Sequence, residues 1–131
     1  MELPLSIIHV GLAVSSEASA RRIFIELFGF RELYRFKLER DHAWSLMRID
    51  STADVMVYDA GNSKLEVFIP VRPPEPAITF NHVCLAVDDV EETVRKAELL
   101  GFEIRRISKE SRLVTFIIDR DGNLYEIKPG G

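Results

Sequence analysis

The chain has 131 residues, 47% apolar and 29% charged, with a net charge of −4 and an isoelectric point near 5.4. That length suggests one compact domain, the composition is that of an ordinary globular protein, and the acidic balance leaves no basic footprint for nucleic acid. No apolar run is long enough to span a bilayer, the Met-Glu-Leu-Pro start lacks the basic start and apolar core of a secretion signal, and a single cysteine, Cys84, excludes an internal disulfide and fits a reducing cytoplasm.

The first strand is expected at His9-Val-Gly-Leu-Ala-Val14. Alternation puts Val10, Leu12 and Val14 on one face, suited to packing under a helix, and His9, Gly11 and Ala13 on the other. A helix follows over about Glu17–Phe28, capped by Ser15 or Ser16, with Ala20, Ile23, Phe24, Leu27 and Phe28 as its apolar stripe. Gly29 ends it in the position that favours a left-handed residue. Strands are then expected at Arg31–Leu38, Asp54–Tyr58 and Leu65–Ile69, the last two joined through the turn signal Ala60-Gly61-Asn62. Four prolines in Pro70-Val-Arg-Pro-Pro-Glu-Pro76 read as a stiff linker over 70–77.

After the linker the order repeats. His82-Val-Cys-Leu-Ala-Val87 is a strand, and Val90–Leu100 a helix with Asp89 as its cap, Glu92 three residues on, and a stop at Gly101. Strands follow at Glu103–Ser108, Leu113–Ile118 and Leu124–Lys128, with Asp121-Gly122-Asn123 as the last turn. The acidic run Asp88-Asp89-Val90-Glu91-Glu92 is a helix start favoured by the helix dipole, not a metal site.

The two copies align closely. His82 lies 73 positions after His9, Gly101 lies 72 after Gly29, and Glu126 lies 60 after Glu66. The first copy therefore holds 12 extra residues before its glutamate, which fall near Arg40–Thr52. The expected organisation is one domain over 1–131, built of module one at 5–70, the linker, and module two at 78–129. A module of that size buries only a small core and is marginal alone.

The duplication carries the chemistry. Two histidines and two carboxylates at matching places can converge on one metal ion. A buried unpaired carboxylate is costly, so Glu66 and Glu126 each need a partner, either a metal or a cation such as Lys64 or Lys128. His42, in a charged irregular stretch, reads as a solvated surface residue. Cys84 shares the His82 face, where it lines a cleft or fills a core position. In the insertion, Trp44, Leu46, Met47 and Ile49 read either as a short helix packed over the sheet or as a hydrophobic lid with Arg48 recognising an anionic group.

The motifs His-Val-Gly-Leu-Ala-Val, Asn-His-Val-Cys-Leu-Ala-Val-Asp-Asp and Asp-Arg-Asp-Gly-Asn-Leu-Tyr-Glu-Ile, in that order and spacing, resemble the vicinal oxygen chelate superfamily of glyoxalases, bleomycin resistance proteins and dioxygenases. The resemblance covers nearly the whole chain. Arg120 stands where the family's Asp-Pro-Asp-Gly-Asn hairpin has proline. The resemblance implies an α+β fold of two βαβββ modules forming an open, barrel-like cleft around a divalent metal. It places the metal ligands at His9, Glu66, His82 and Glu126, a set similar to bacterial glyoxalase I. The methylmalonyl-CoA epimerase pattern is similar but has an amide where Glu66 stands.

Imidazole and carboxylate donors suit Ni, Co, Zn, Fe or Mn. Four protein ligands leave two positions of an octahedral ion for neighbouring substrate oxygens. The resemblance thus favours proton transfer next to a carbonyl, of lyase or isomerase type, with Glu66 or Glu126 as the base. Ring-cleaving dioxygenases need a third open position and use two histidines and one carboxylate. Fosfomycin-opening enzymes also resemble a three-ligand pattern, and a non-catalytic resistance-type binding module needs no metal. These remain the alternatives. Members that use glutathione resemble one another in an arginine four residues after the first ligand and an asparagine four after the second. Here those places hold Ala13 and Pro70, which removes the obvious substrate. Candidate substrate contacts are Trp44, Arg48, Phe68 and Cys84. A small-molecule substrate, a homodimer and a cytoplasmic location complete the expectation.

Overall fold

The computed structural model describes residues 5–72, 75 and 79–130, so part of the expected 70–77 linker lies outside the described residues. The chain divides into two compact units, Met1–Pro74 and Glu75–Gly131. Among the described residues no helix is long and apolar enough to cross a membrane.

The first unit runs β1 (His9–Ala13), α1 (Glu17–Ala20), a π-helical continuation of α1 (Arg21–Leu27), β2 (Arg31–Leu38), α2 (Arg40–Met47), β3 (Ala53–Asp59) and β4 (Lys64–Pro70). Its sheet has the order β1-β4-β3-β2, with β1 parallel to β4 and the other pairs antiparallel. The second unit runs β5 (Val83–Val87), α3 (Val90–Leu99), β6 (Glu103–Lys109), β7 (Arg112–Ile118) and β8 (Leu124–Pro129), with the same order β5-β8-β7-β6. The α+β architecture and the duplicated strand–helix–three-strand plan are those expected from the sequence.

Local chemistry sets the helix ends. The Ser16 Oγ accepts from the Ser19 N–H at 3.1 Å, and the Asp89 Oδ1 accepts from the Glu92 N–H at 3.0 Å. Each satisfies a backbone donor that the first helical turn leaves open. Gly29 and Gly101 follow the helices with φ of +71° and +87°, where a side chain would be strained.

Two features of the first unit differ from the sequence expectation. The second half of the first helix is π-helical: the Phe28 N–H reaches back to the Ile23 carbonyl at 3.1 Å. The wider turn still buries Ala20, Ile23, Phe24 and Leu27, while Phe28 is only half-buried. The stretch around His42 is not irregular but lies in α2, where His42 is exposed as anticipated. That helix buries only Ala43. Trp44, Leu46, Met47 and Ile49 stay largely exposed, so the insertion does form a helix, but not one that packs its apolar residues away.

Alternation divides each sheet into two faces. In the first unit Met56, Tyr58, Leu65 and Val67 are buried together with α1, and Phe24 lies 5.2 Å from the Tyr58 ring. In the second unit Thr115, Ile117, Tyr125 and Ile127 are buried with Val94 and Ala97 of α3. Full burial of one such large apolar side chain contributes about 1.5–3 kcal/mol. The opposite faces carry Glu66 and Glu126.

Each unit also clamps its helix to the next strand by the same device. Arg35 on β2 donates to both carboxylate oxygens of Glu17 at 3.0 Å, and Arg106 on β6 pairs with Glu91 at the start of α3. These pairs are exposed, so they fix direction more than they stabilise.

Candidate functional site

Parallel pairing places Gly11 opposite Glu66 and Cys84 opposite Glu126. Each histidine lies two residues earlier on the same face, within reach of the glutamate. His9 Nε2 is 3.4 Å from Glu66 Oε1, and His82 Nε2 is 3.3 Å from Glu126 Oε1. The glutamate side chains are mostly covered, at 18% and 15% exposure, while the histidine rings are more open. The sequence repeat is therefore also a repeat of geometry.

His82 is held further. Its Nδ1 lies 2.8 Å from the Phe80 carbonyl oxygen. A carbonyl can only accept, so Nδ1 carries the proton and donates it. The lone pair or second proton of Nε2 then faces the carboxylate. Bonding the far ring nitrogen to a carbonyl is how metal-binding histidines are commonly oriented. The ring also packs against Phe116 at 5.2 Å. An unprotonated Nε2 and a carboxylate oxygen facing each other present two lone pairs, which a shared cation resolves. The donor set fits a divalent metal of the kind that accepts imidazole and carboxylate. Among the described residues no group of three or more ligating side chains comes together, and each unit brings together one histidine and one glutamate.

The other expected substrate contacts separate into two groups. Phe68 lies on the Glu66 face, and its ring closely covers Gly11. A Cβ at Gly11 would meet Phe68 Cε1 at 3.2 Å, so the small residue is what lets the ring lie there. Cys84 is exposed beside Glu126, and burial followed by the Glu126 charge pushes its thiol up. Trp44 and Arg48 belong instead to the insertion. The Arg48 guanidinium donates to the Trp44 and Ser45 carbonyls at 2.9 and 3.0 Å and lies 5.8 Å from the Trp44 ring centre. Its Nη1 closes the end of α2, at a residue with φ +59°.

Two aromatic residues on the Glu66 face, Tyr34 and Phe36, escaped the sequence reading. The row Gly11–Glu66–Val57–Tyr34 crosses the whole sheet, and the next row ends in Phe36. Lys64 lies two residues before Glu66 on the same face, its Nζ 5.8 Å from the Tyr34 ring centre. Strict alternation from Arg31 would put Leu33 in this set. A register shift between Glu32 and Tyr34 re-phases β2 and brings in Tyr34 and Phe36. Only the pairing partner reveals such a bulge.

Near Glu126 the cations on the same face are engaged. Lys128 Nζ is 3.8 Å from Glu126 Oε2, and Arg105 Nε is 2.6 Å from Glu103 Oε2.

A fold of two such units with paired imidazole and carboxylate donors defines a class, and the comparison with known families names it. The family model described as the glyoxalase/bleomycin resistance protein/dioxygenase superfamily matches residues 8–116, and the chain belongs to that superfamily. No curated protein matches by sequence. Among solved structures, a glyoxalase family protein from Enterococcus faecalis is 22% identical with a TM-score of 0.68, covering 93% of this chain and 95% of that one. A fosfomycin resistance protein from Listeria monocytogenes, solved with Mn(II) and 1S,2S-dihydroxypropylphosphonic acid, is 17% identical with a TM-score of 0.72, covering 98% and 95%. The trypanothione-dependent glyoxalase I of Leishmania major is 16% identical with a TM-score of 0.72, covering 95% and 86%. At these identities the structures establish the shared fold.

Proposed function

We propose that the protein is a divalent-metal-dependent enzyme that moves a proton next to a carbonyl in a small metabolite, by lyase- or isomerase-type chemistry, with His9, Glu66, His82 and Glu126 as the metal ligands. The observation that carries this reading is the pair of nearly equal imidazole–carboxylate approaches at matching places of a duplicated fold, 3.4 and 3.3 Å. The relative solved with Mn(II) and a ligand bearing adjacent hydroxyls supports a metal centre that takes neighbouring oxygens. Nickel, cobalt, zinc, iron and manganese all suit this donor set.

Each unit contributes two of the four donors, so a centre needs two units. They come from one chain acting as a single domain over residues 1–131, or from two chains of a homodimer.

A bound divalent ion supplies Lewis-acid polarisation of a substrate carbonyl. The chain's residues do the rest. His82, steadied by Phe80, keeps Nε2 pointed at Glu126. Glu66 and Glu126 are the residues able to accept the proton. It leaves the carbon beside the carbonyl, rests on a carboxylate oxygen, and returns at the neighbouring atom, so the reaction is redox-neutral. Cys84 and Ala86 are small and share the His82 face, which leaves room for substrate beside the donors of the second unit, while Phe68 fills the space over Gly11 in the first.

The test is metal content after purification, for the wild type and for a double His9→Ala, His82→Ala variant. The wild type should retain about one divalent ion per chain, and the double variant essentially none, since losing half the donors removes chelation. A wild-type protein that never holds metal tightly would sink the proposal. Exchange of substrate C–H for deuterium, assayed across small carbonyl compounds, then identifies the reaction.

A further inference from the structure

The Glu66 face carries a feature that the metal chemistry does not use. Tyr34 and Phe36 are large aromatic residues left 47% and 42% exposed, with ring centres 6.4 Å apart. Tyr34 ends the row that starts beside the first strand and passes through Glu66. With strands about 4.8 Å apart, its backbone lies about 10 Å from that of Glu66, within the span of a small aryl compound.

Lys64 stands between them in function. Its ammonium lies near the Tyr34 ring, and among the described residues it forms no ion pair. Its neighbours differ. On the same face Arg31 pairs with Asp59 at 3.5 Å, and in the other unit Lys128 and Arg105 pair with glutamates. Asp59 stands opposite Lys64 in the strand register but pairs with Arg31. A cation with no ion pair among the described residues, set beside exposed aromatic rings, matches a ligand that carries a negative group next to a flat apolar one. The ring meets Tyr34 and Phe36 in an offset or edge arrangement. The negative group meets Lys64 at the rim of the same surface.

We propose that Lys64, Tyr34 and Phe36 form a substrate-recognition subsite that selects small molecules bearing an anionic group beside an aromatic ring. The proposal rests on the reading that the His9–Glu66 pair belongs to the reaction centre, because it makes this face the substrate's face. It assigns specificity to the first unit.

The test uses the full-length protein stripped of metal and, separately, loaded with Mn(II). Benzoate, acetate and benzamide are titrated by ligand-observed NMR. On the wild type benzoate should bind about 3- to 10-fold more tightly than acetate, the range expected for one aromatic contact. It should bind about fivefold more tightly than benzamide, the worth of one partly exposed charge contact. Lys64→Gln should erase the advantage over benzamide and keep that over acetate, while Tyr34→Leu should do the reverse.

Equal binding of all three probes overturns the assignment, as does a Lys64→Gln variant that still prefers benzoate over benzamide. Coverage of Tyr34 and Phe36 by a second copy would give the first of these results. Metal content is measured on the same samples. A wild type that discriminates the probes but holds no metal contradicts the proposed chemistry and leaves the subsite standing. A wild type that holds metal without discriminating does the opposite.

Discussion

The two units carry the same histidine–glutamate device on sheets of the same order, yet they secure it by different means. In the second unit the hairpin before Glu126 is built on one buried carboxylate. Asp119 accepts hydrogen bonds from the backbone N–H groups of Asp121 and Asn123, from Asn123 Nδ2, and from the Tyr125 hydroxyl, at 2.9 to 3.0 Å. In the first unit the glutamate strand is reached through a shorter turn, and the buried tyrosine, Tyr58, has no hydrogen-bond partner for its hydroxyl among the described residues. The same donors can thus be delivered by a buried carboxylate with four donors or by a more exposed one, Asp59, that accepts from the Gly61 N–H at 3.0 Å. The difference teaches where each unit is vulnerable: the second in its polar turn, the first in its core contacts.

That contrast predicts an order of effects. Asp119→Ala should cost about 3 kcal/mol, because it leaves several donors without an acceptor in a buried turn. Urea unfolding measures it, and a loss below 1 kcal/mol would show that the turn does not depend on the carboxylate. Next comes Tyr125→Phe, which removes one of the two donors to Asp119 Oδ2 and should cost about 1 kcal/mol. The smallest change is Tyr58→Phe. Its hydroxyl is already unpaired, so removal should be neutral or stabilise by up to about 1 kcal/mol. Equal losses at the two tyrosines would erase the distinction between the units.

A pH experiment sharpens the same comparison. Burial pushes the Asp119 carboxyl above its ordinary value of 3.8, against the pull of its donors, first Asn123 and then Tyr125 and Asp121. The folded protein then binds this proton more tightly than the unfolded chain. The stability this group contributes is therefore fully present below 3.8 and is lost as pH rises through the folded value. Asp119→Asn should flatten that part of the stability–pH curve. A curve that keeps its shape in the variant would assign the slope to another group.

Much of this was legible in the sequence. The duplicated His…Glu spacing, the period-two alternation and the two glycine stops gave the order of elements, and β2 begins and ends at the residues expected, Arg31 and Leu38. Ser16 and Asp89 cap the helices as their side chains suggest. What stayed hidden depends on partners distant in sequence. Spacing cannot show that helix α1 widens into π-helical turns, since the apolar stripe is compatible with either form. A bulge at Leu33 cannot be seen without its opposing strand, so Tyr34 and Phe36 could not be assigned to the Glu66 face. The role of Asp119 was concealed because its turn signal, Asp121-Gly122-Asn123, marks the bend and not the buried acceptor that holds it. The helix in the insertion was one of two open readings, and its apolar residues stay largely exposed rather than packed over the sheet.

The most direct measurement is the stoichiometry of Mn(II) binding, by equilibrium dialysis, for the wild type and for His9→Ala and His82→Ala separately. If the two pairs share one ion, the wild type should bind about one per chain, and either variant should lose at least tenfold in affinity for it. Two ions per wild-type chain, with each variant losing one and keeping the other, would show two independent sites and contradict the four-ligand centre.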